Sequence, residues 1–89
     1  MLPAYARVWV AELRDRNIRV NVLIPGSVVT PKMEEVLPPE LKAQFESVIP
    51  RRAMGRPDEI ASVAVFLASD GSSYVNGMEL VADGGATVI

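Results

Sequence analysis

The chain has 89 residues, 49% of them hydrophobic; 9 Lys+Arg against 11 Asp+Glu leave a net charge of −2, and there is no cysteine or histidine. That composition excludes disulfides, a thiolate nucleophile, Ser-His or Cys-His catalysis, and zinc or haem sites built on S or N donors, so no metal site is expected. A weakly acidic chain lacks the positive field on which nucleic-acid binding rests. The longest uncharged stretch, Val20 to Pro31, runs for 12 residues around Pro25 and Gly26, too short to span a bilayer. With no basic start leading into an apolar run, a single cytoplasmic domain with no membrane contact is expected.

Taken in chain order, the first helix is expected over 4–16. At 100° per residue Tyr5, Ala6, Trp9, Val10 and Leu13 fall on one arc, and Ala4, Val8 and Ala11 form a second, small-residue stripe. Two apolar faces imply two neighbours. Asn17 is placed to close the helix in the left-handed conformation. Ile18 to Ile24 alternates and then closes on Leu23-Ile24, predicting a strand buried on both faces at its far end. Pro25-Gly26 stops it.

Thr30-Pro31 opens a short helix, Thr as cap and Pro at the first position, with Glu34-Glu35 in the early turns. A second short helix is expected from Pro39 to about Val48, with Leu41, Phe45 and Val48 on one side. Prolines at 31, 38, 39 and 50 mark 31–50 as an excursion between regular elements. Pro57 then opens a helix over 57–69, with Asp58 and Glu59 at its positive end. It is apolar nearly all round, which predicts burial on two sides. A turn at Asp70-Gly71-Ser72-Ser73 leads to a strand from Met78 to Ala82, ended by Asp83-Gly84-Gly85.

Helix, strand, short helices, helix, strand is the order of one βαβ unit behind a leading helix. The fold class is α/β, the end of a larger doubly wound parallel sheet of Rossmann-like type. Ligands of such sheets bind beyond the carboxyl ends of the strands. The run Pro25-Gly26-Ser27-Val28-Val29-Thr30 leaves one such end, where its backbone donors and the Thr30 hydroxyl could meet a polar planar group, though local sequence favours a turn followed by a helix cap. Asn21 inside the strand either faces a site or satisfies neighbouring backbone groups. Glu34-Glu35 and Asp58-Glu59 read as solvated helix starts, and Arg51, Arg52 and Arg56 as a solvated loop or an anion contact. Glycines 71, 77, 84 and 85 open no helix after a strand, so the chain holds no phosphate loop of its own.

Four stretches resemble the C-terminal third of short-chain dehydrogenases/reductases. They are 6–13 (Ala-Arg-Val-Trp-Val-Ala-Glu-Leu), and 18–22 (Ile-Arg-Val-Asn-Val) running into Pro25-Gly26 and Thr30-Pro31. The others are 55–61 (Gly-Arg-Pro-Asp-Glu-Ile-Ala) with 66–70 (Phe-Leu-Ala-Ser-Asp), and 73–77 (Ser-Tyr-Val-Asn-Gly) with 83–85 (Asp-Gly-Gly). The resemblance covers virtually the whole chain. Departures are Asn17 where Gly is usual, Asn76 where Thr is frequent, and Ala53 where Arg is common.

The resemblance implies an NAD(P)-dependent oxidoreductase interconverting alcohols and carbonyls, with NAD or NADP as cofactor. Pro25, Gly26, Val28 and Thr30 would line the nicotinamide pocket, Val28 through its backbone and Thr30 through its hydroxyl. Residues 31–50 would be the substrate lid, and helices 4–16 and 57–69 would pack across subunits of a homo-oligomer. The family's Gly-rich cofactor turn has no counterpart here, and its Tyr-x-x-x-Lys pair would fall before the point matching Met1. Four residues after Tyr5 stands Trp9, and four after Tyr74 stands Met78. No catalytic residue is therefore assigned, and residues 1–89 are expected to be a partial domain, incomplete as a catalyst by itself. A small-molecule substrate belongs to a full-length chain. The alternative reading is a non-catalytic module that associates through its apolar helices; a free-standing binding domain is weakest, because two strands leave an edge open.

Overall fold

The structure, a computed structural model, describes residues 2–88, so the outer bounds of the expected 1–89 domain, Met1 and Ile89, lie outside the described residues. Helix α1 spans Ala4–Glu12. It begins on Pro3, whose carbonyl accepts from the Ala6 and Arg7 N–H groups at 3.1 and 3.2 Å. The helix stops short of the expected Arg16. Leu13 donates to the Trp9 carbonyl, and residues 14–16 tighten into a 3₁₀ turn in which Arg16 N–H reaches back to Leu13, a common way to finish a helix. Asn17 closes it at φ 54°, ψ 41°, the left-handed cap that the sequence predicts.

Strand β1 covers Val22–Pro25 and strand β2 Glu79–Ala82. They pair in parallel, Val22 opposite Glu79 and Pro25 opposite Ala82. The expected strand began at Ile18, but residues 18–21 lie outside β1. Side chains take over there. Val20 N–H donates to Asn76 Oδ1, and Asn21 accepts from Met78 N–H and donates to the Val75 carbonyl. Asn21 thus serves the backbone, one of its two predicted roles. The expected burial of the far end on both faces does not hold either, since Ile24 is exposed.

Between the strands lie α2 (Pro31–Val36), α3 (Pro39–Ser47) and α4 (Pro57–Ala68). At the start of α4, the Glu59 side chain reaches back to the Arg56 N–H at 2.9 Å, one arm of a capping box. At its other end the Ser72 hydroxyl donates to the Leu67 carbonyl, and Arg19 donates to the Leu67 and Ser69 carbonyls. Burial of α4 on two sides is corrected. Ile60, Val63 and Leu67 are half-buried, whereas Val65 and Phe66 face solvent, because this chain supplies a neighbour to one face only.

The fully shielded residues are few: Ala6, Ile49, Met54 and Ser72 among those described. The radius of gyration is 16.0 Å and the longest dimension 51 Å, against about 12 Å expected for a compact domain of this length. No helix among the described residues is long and apolar enough to cross a membrane.

Candidate functional site at the carboxyl end of the sheet

The run leaving β1 is fixed by its main chain. Gly26 N–H donates to the Ala82 carbonyl at 3.0 Å. A Cβ on Gly26 would lie 2.5 Å from Asp83 Cβ and 2.8 Å from its Cα, so this position admits only glycine without a backbone shift. Two residues on, Val28 forms an isolated parallel bridge with Gly55. Its bonds run from Gly55 N–H to the Ser27 carbonyl at 2.8 Å and from Val29 N–H to the Gly55 carbonyl at 2.9 Å.

In that pattern the bridging residue's own N–H and C=O point away from the partner strand. Accordingly, neither the N–H nor the C=O of Val28 has a hydrogen-bond partner among the described residues. Thr30 caps α2, its Oγ1 accepting from Met33 N–H at 3.2 Å. That leaves the hydroxyl proton free to donate elsewhere. Pro25 ends the strand and is exposed. All four residues named from sequence therefore lie on one rigid stretch, Gly26 and Thr30 with local structural duties and Val28 with a donor and an acceptor to spare.

Charge near the loop is organised as pairs. Arg51 donates to the Glu59 carboxylate and, at 2.7 Å, to the Met54 carbonyl. This bond holds the Glu59 carboxyl below its ordinary range and raises the Arg51 guanidinium. Arg56 forks onto Asp58 at 3.0 and 3.2 Å, lowering the Asp58 carboxyl and raising its own pKa. Both acids of the Asp58-Glu59 pair are thus ion-paired at a helix start, as expected for structural carboxylates. Arg51 and Arg56 are engaged rather than open to an anion.

Sequence reasoning did not foresee the cavity of about 450 Å³ beside the loop, between α4, β2 and the Asp83-Gly84-Gly85 turn. It is bounded by Ser27, Gly55, Ile60, Val63, Val81 and Gly84 among others, and takes in none of the four named residues. Only the turn residues after β2 could have pointed there. No group of His, Cys, Asp or Glu among the described residues could hold a metal ion.

A parallel strand pair with helices in the crossover, and a fixed loop at its carboxyl edge, defines a Rossmann-like α/β protein. A family model described as enoyl-(acyl carrier protein) reductase matches residues 1–87. The chain is 46% identical over 82 residues to a 3-oxoacyl-[acyl-carrier-protein] reductase of Thermotoga maritima, covering 92% of this chain and 33% of that protein. To a 3beta-hydroxysteroid dehydrogenase of Eggerthella lenta it is 45% identical over 78 residues, 86% of this chain and 30% of that one. Among solved structures, a short chain dehydrogenase family protein from Francisella tularensis superposes with a TM-score of 0.82 at 29% identity, over 96% of this chain and 39% of the other. The NADPH dependent reductase YwfH, involved in bacilysin biosynthesis, gives 0.79 at 34% identity, over 92% and 35%. This chain belongs to the short-chain dehydrogenase/reductase family of oxidoreductases, and spans about a third of the length of the curated relatives it matches.

Proposed function

We propose that these residues form the nicotinamide-side wall and the substrate lid of an NAD(P)-dependent oxidoreductase that interconverts an alcohol and a carbonyl. The observation that carries this reading is the free donor and acceptor of Val28. A primary carboxamide, such as that of nicotinamide, presents an N–H donor and a C=O acceptor, and Val28 offers the complement on a segment held by Gly26 and Gly55. Pro25, Gly26, Val28 and Thr30 would hold that end of the cofactor. When bound, the cofactor supplies the hydride; these residues orient its ring and do not exchange protons with the substrate. The residues that bind pyrophosphate and move the substrate proton belong to the parts of the relatives that this chain does not span, so the 89 residues by themselves are inactive.

The test grafts residues 1–89 in place of the matching third of the Thermotoga maritima reductase. The chimera should oxidise NADH or NADPH in the presence of a carbonyl substrate. Replacing Val28 with proline deletes its N–H yet spares both bonds of the Gly55 bridge, and should raise the nicotinamide cofactor KM about tenfold, the cost of one lost hydrogen bond to a buried partner. A folded chimera whose V28P variant keeps the same KM overturns the reading. The second reading, a non-catalytic association module, is favoured by the exposed Tyr5, Trp9, Val65 and Phe66; association of the 89-residue chain with no dependence on cofactor would support it.

A further inference from the structure

We infer that the Asp83-Gly84-Gly85 turn is the common anchor of the loop after β1 and of the lid's return stem, with Asp83 a positioning residue for both. The turn touches the loop on one side. Gly26 lies so close to Asp83 that even a methyl group would collide, and its N–H is bonded to Ala82. It touches the stem on the other. The Gly84 carbonyl accepts from Arg51 N–H at 3.2 Å. A Cβ on Gly84 would come within 2.8 Å of Ile49 Cγ2, and one on Gly85 within 3.1 Å of Pro50 Cγ. Ile49 is 4% exposed, so this contact is where residues 31–50 re-enter the body of the molecule.

The stem then returns to the loop. Arg51 donates to the Met54 carbonyl, and Gly55 bridges Ser27 and Val29. Loop, turn and stem thus close a circuit in which each part is bonded to the next. Asp83 sets the turn's shape: its Oδ1 accepts from Gly85 N–H at 2.9 Å and its Oδ2 from Thr87 N–H at 3.0 Å. These bonds hold Gly84 and Gly85 at φ 67° and 95°, the left-handed region that a side chain disfavours. The two ends of the lid are therefore tied to one point, and a shift of the turn moves the nicotinamide-side loop and the lid stem together.

This inference uses the proposed role of the loop, but its primary test does not. Amide hydrogen exchange on the 89-residue chain reads the circuit directly. Asp83→Ala should speed exchange at the Arg51 and Gly55 N–H groups about tenfold, while Val22 and Gly77, bonded at the far end of the strands, change less than about twofold. Asp83→Asn keeps an acceptor for Gly85 and should recover part of the protection. Thr87→Pro removes both the N–H and the hydroxyl that Thr87 offers Asp83, at an exposed position, and should reproduce part of the loss.

In the chimera described above, Asp83→Ala should raise KM for cofactor and carbonyl more than it lowers kcat, with partial rescue by Asp83→Asn. Unchanged exchange at Arg51 and Gly55 in all three variants overturns the inference. So does a uniform rise that includes Val22 and Gly77, or a wild-type chain in which Arg51 and Gly55 exchange unprotected. If the exchange pattern holds while V28P leaves KM unchanged, the anchor stands and the nicotinamide-side reading falls.

Discussion

Gly26 is conformationally ordinary, yet it is the least replaceable position at the candidate site, because the obstacle is Asp83 and not its own φ. Gly26→Ala should cost roughly 1–3 kcal/mol, the range for forcing extra volume into a packed contact, read as a lower urea midpoint at unchanged m-value. An undiminished midpoint would mean that the Asp83 backbone yields freely. Acid sensitivity is also decided by individual residues. The Asp58, Glu59 and Asp83 carboxyls are lowered by bonds from Arg56, Arg51 and Thr87 respectively. Groups lowered in the folded state stabilise it above their unfolded pKa and lose that contribution as pH falls through the folded values. Stability should be flat from pH 7 to about 5 and decline below about pH 4, where the unfolded carboxyls take up protons first. Glu59→Gln should flatten that decline, since it removes one of the three groups; urea midpoints at pH 7, 5 and 3 give the comparison.

At the scale of elements, residue chemistry made the helix starts legible and left strand extent out of reach. Thr30-Pro31 and Pro57-Asp58-Glu59 carry their own start signals, and α2 and α4 begin there. Asn17 announced the end of the first helix in the same local way, but not that residues 14–16 tighten into a 3₁₀ turn before it. Alternation from Ile18 placed a strand in this segment, and only its second half forms β1. How much of it becomes strand depends on where β2 begins, which is a property of the partner and not of the segment. Of the candidate site, the loop's place after the first strand was legible, and the family resemblance is what names four residues on it. The outward aim of the Val28 backbone was not, because it follows from pairing with Gly55, 27 positions later. Thr30 joins the two levels. Thr30→Ala should destabilise α2 by about 1 kcal/mol through loss of the Met33 bond, whereas Thr30→Ser should keep the cap. Helicity by circular dichroism and cofactor KM in the chimera separate the cap from the proposed cofactor contact: a change in KM without a change in helicity assigns the hydroxyl to the cofactor.

For the whole molecule the apolar surplus in the composition acquires a location. An accessible surface of 6500 Å² exceeds the roughly 5,100 Å² expected of a compact monomer of this mass. Exposed apolar side chains gather on two helices, Tyr5, Val8 and Trp9 on α1, with the Tyr5 and Trp9 rings edge to face at 5.1 Å, and Val65 and Phe66 on α4; others, such as Val36, Val48, Tyr74 and Val88, lie outside them. A second unsatisfied feature is the edge of β1 away from β2. Val22 and Gly26 direct their N–H groups to β2, so by alternation Leu23 directs its own to the opposite side, where β2 is the only strand partner among the described residues. Open edges and open apolar faces act in the same direction, so the 89-residue chain should self-associate, with a weight-average mass that rises with concentration in sedimentation equilibrium. The two features can be separated. Trp9→Glu with Phe66→Glu places charge on both helix faces without touching the strands. A fall to monomer in this variant assigns the association to the helices, and an unchanged mass excludes them as its cause. A wild-type chain that remains monomeric up to high micromolar concentration would show that the apolar faces are shielded by local rearrangement, and would remove the support for a homo-oligomer built on helices 4–16 and 57–69.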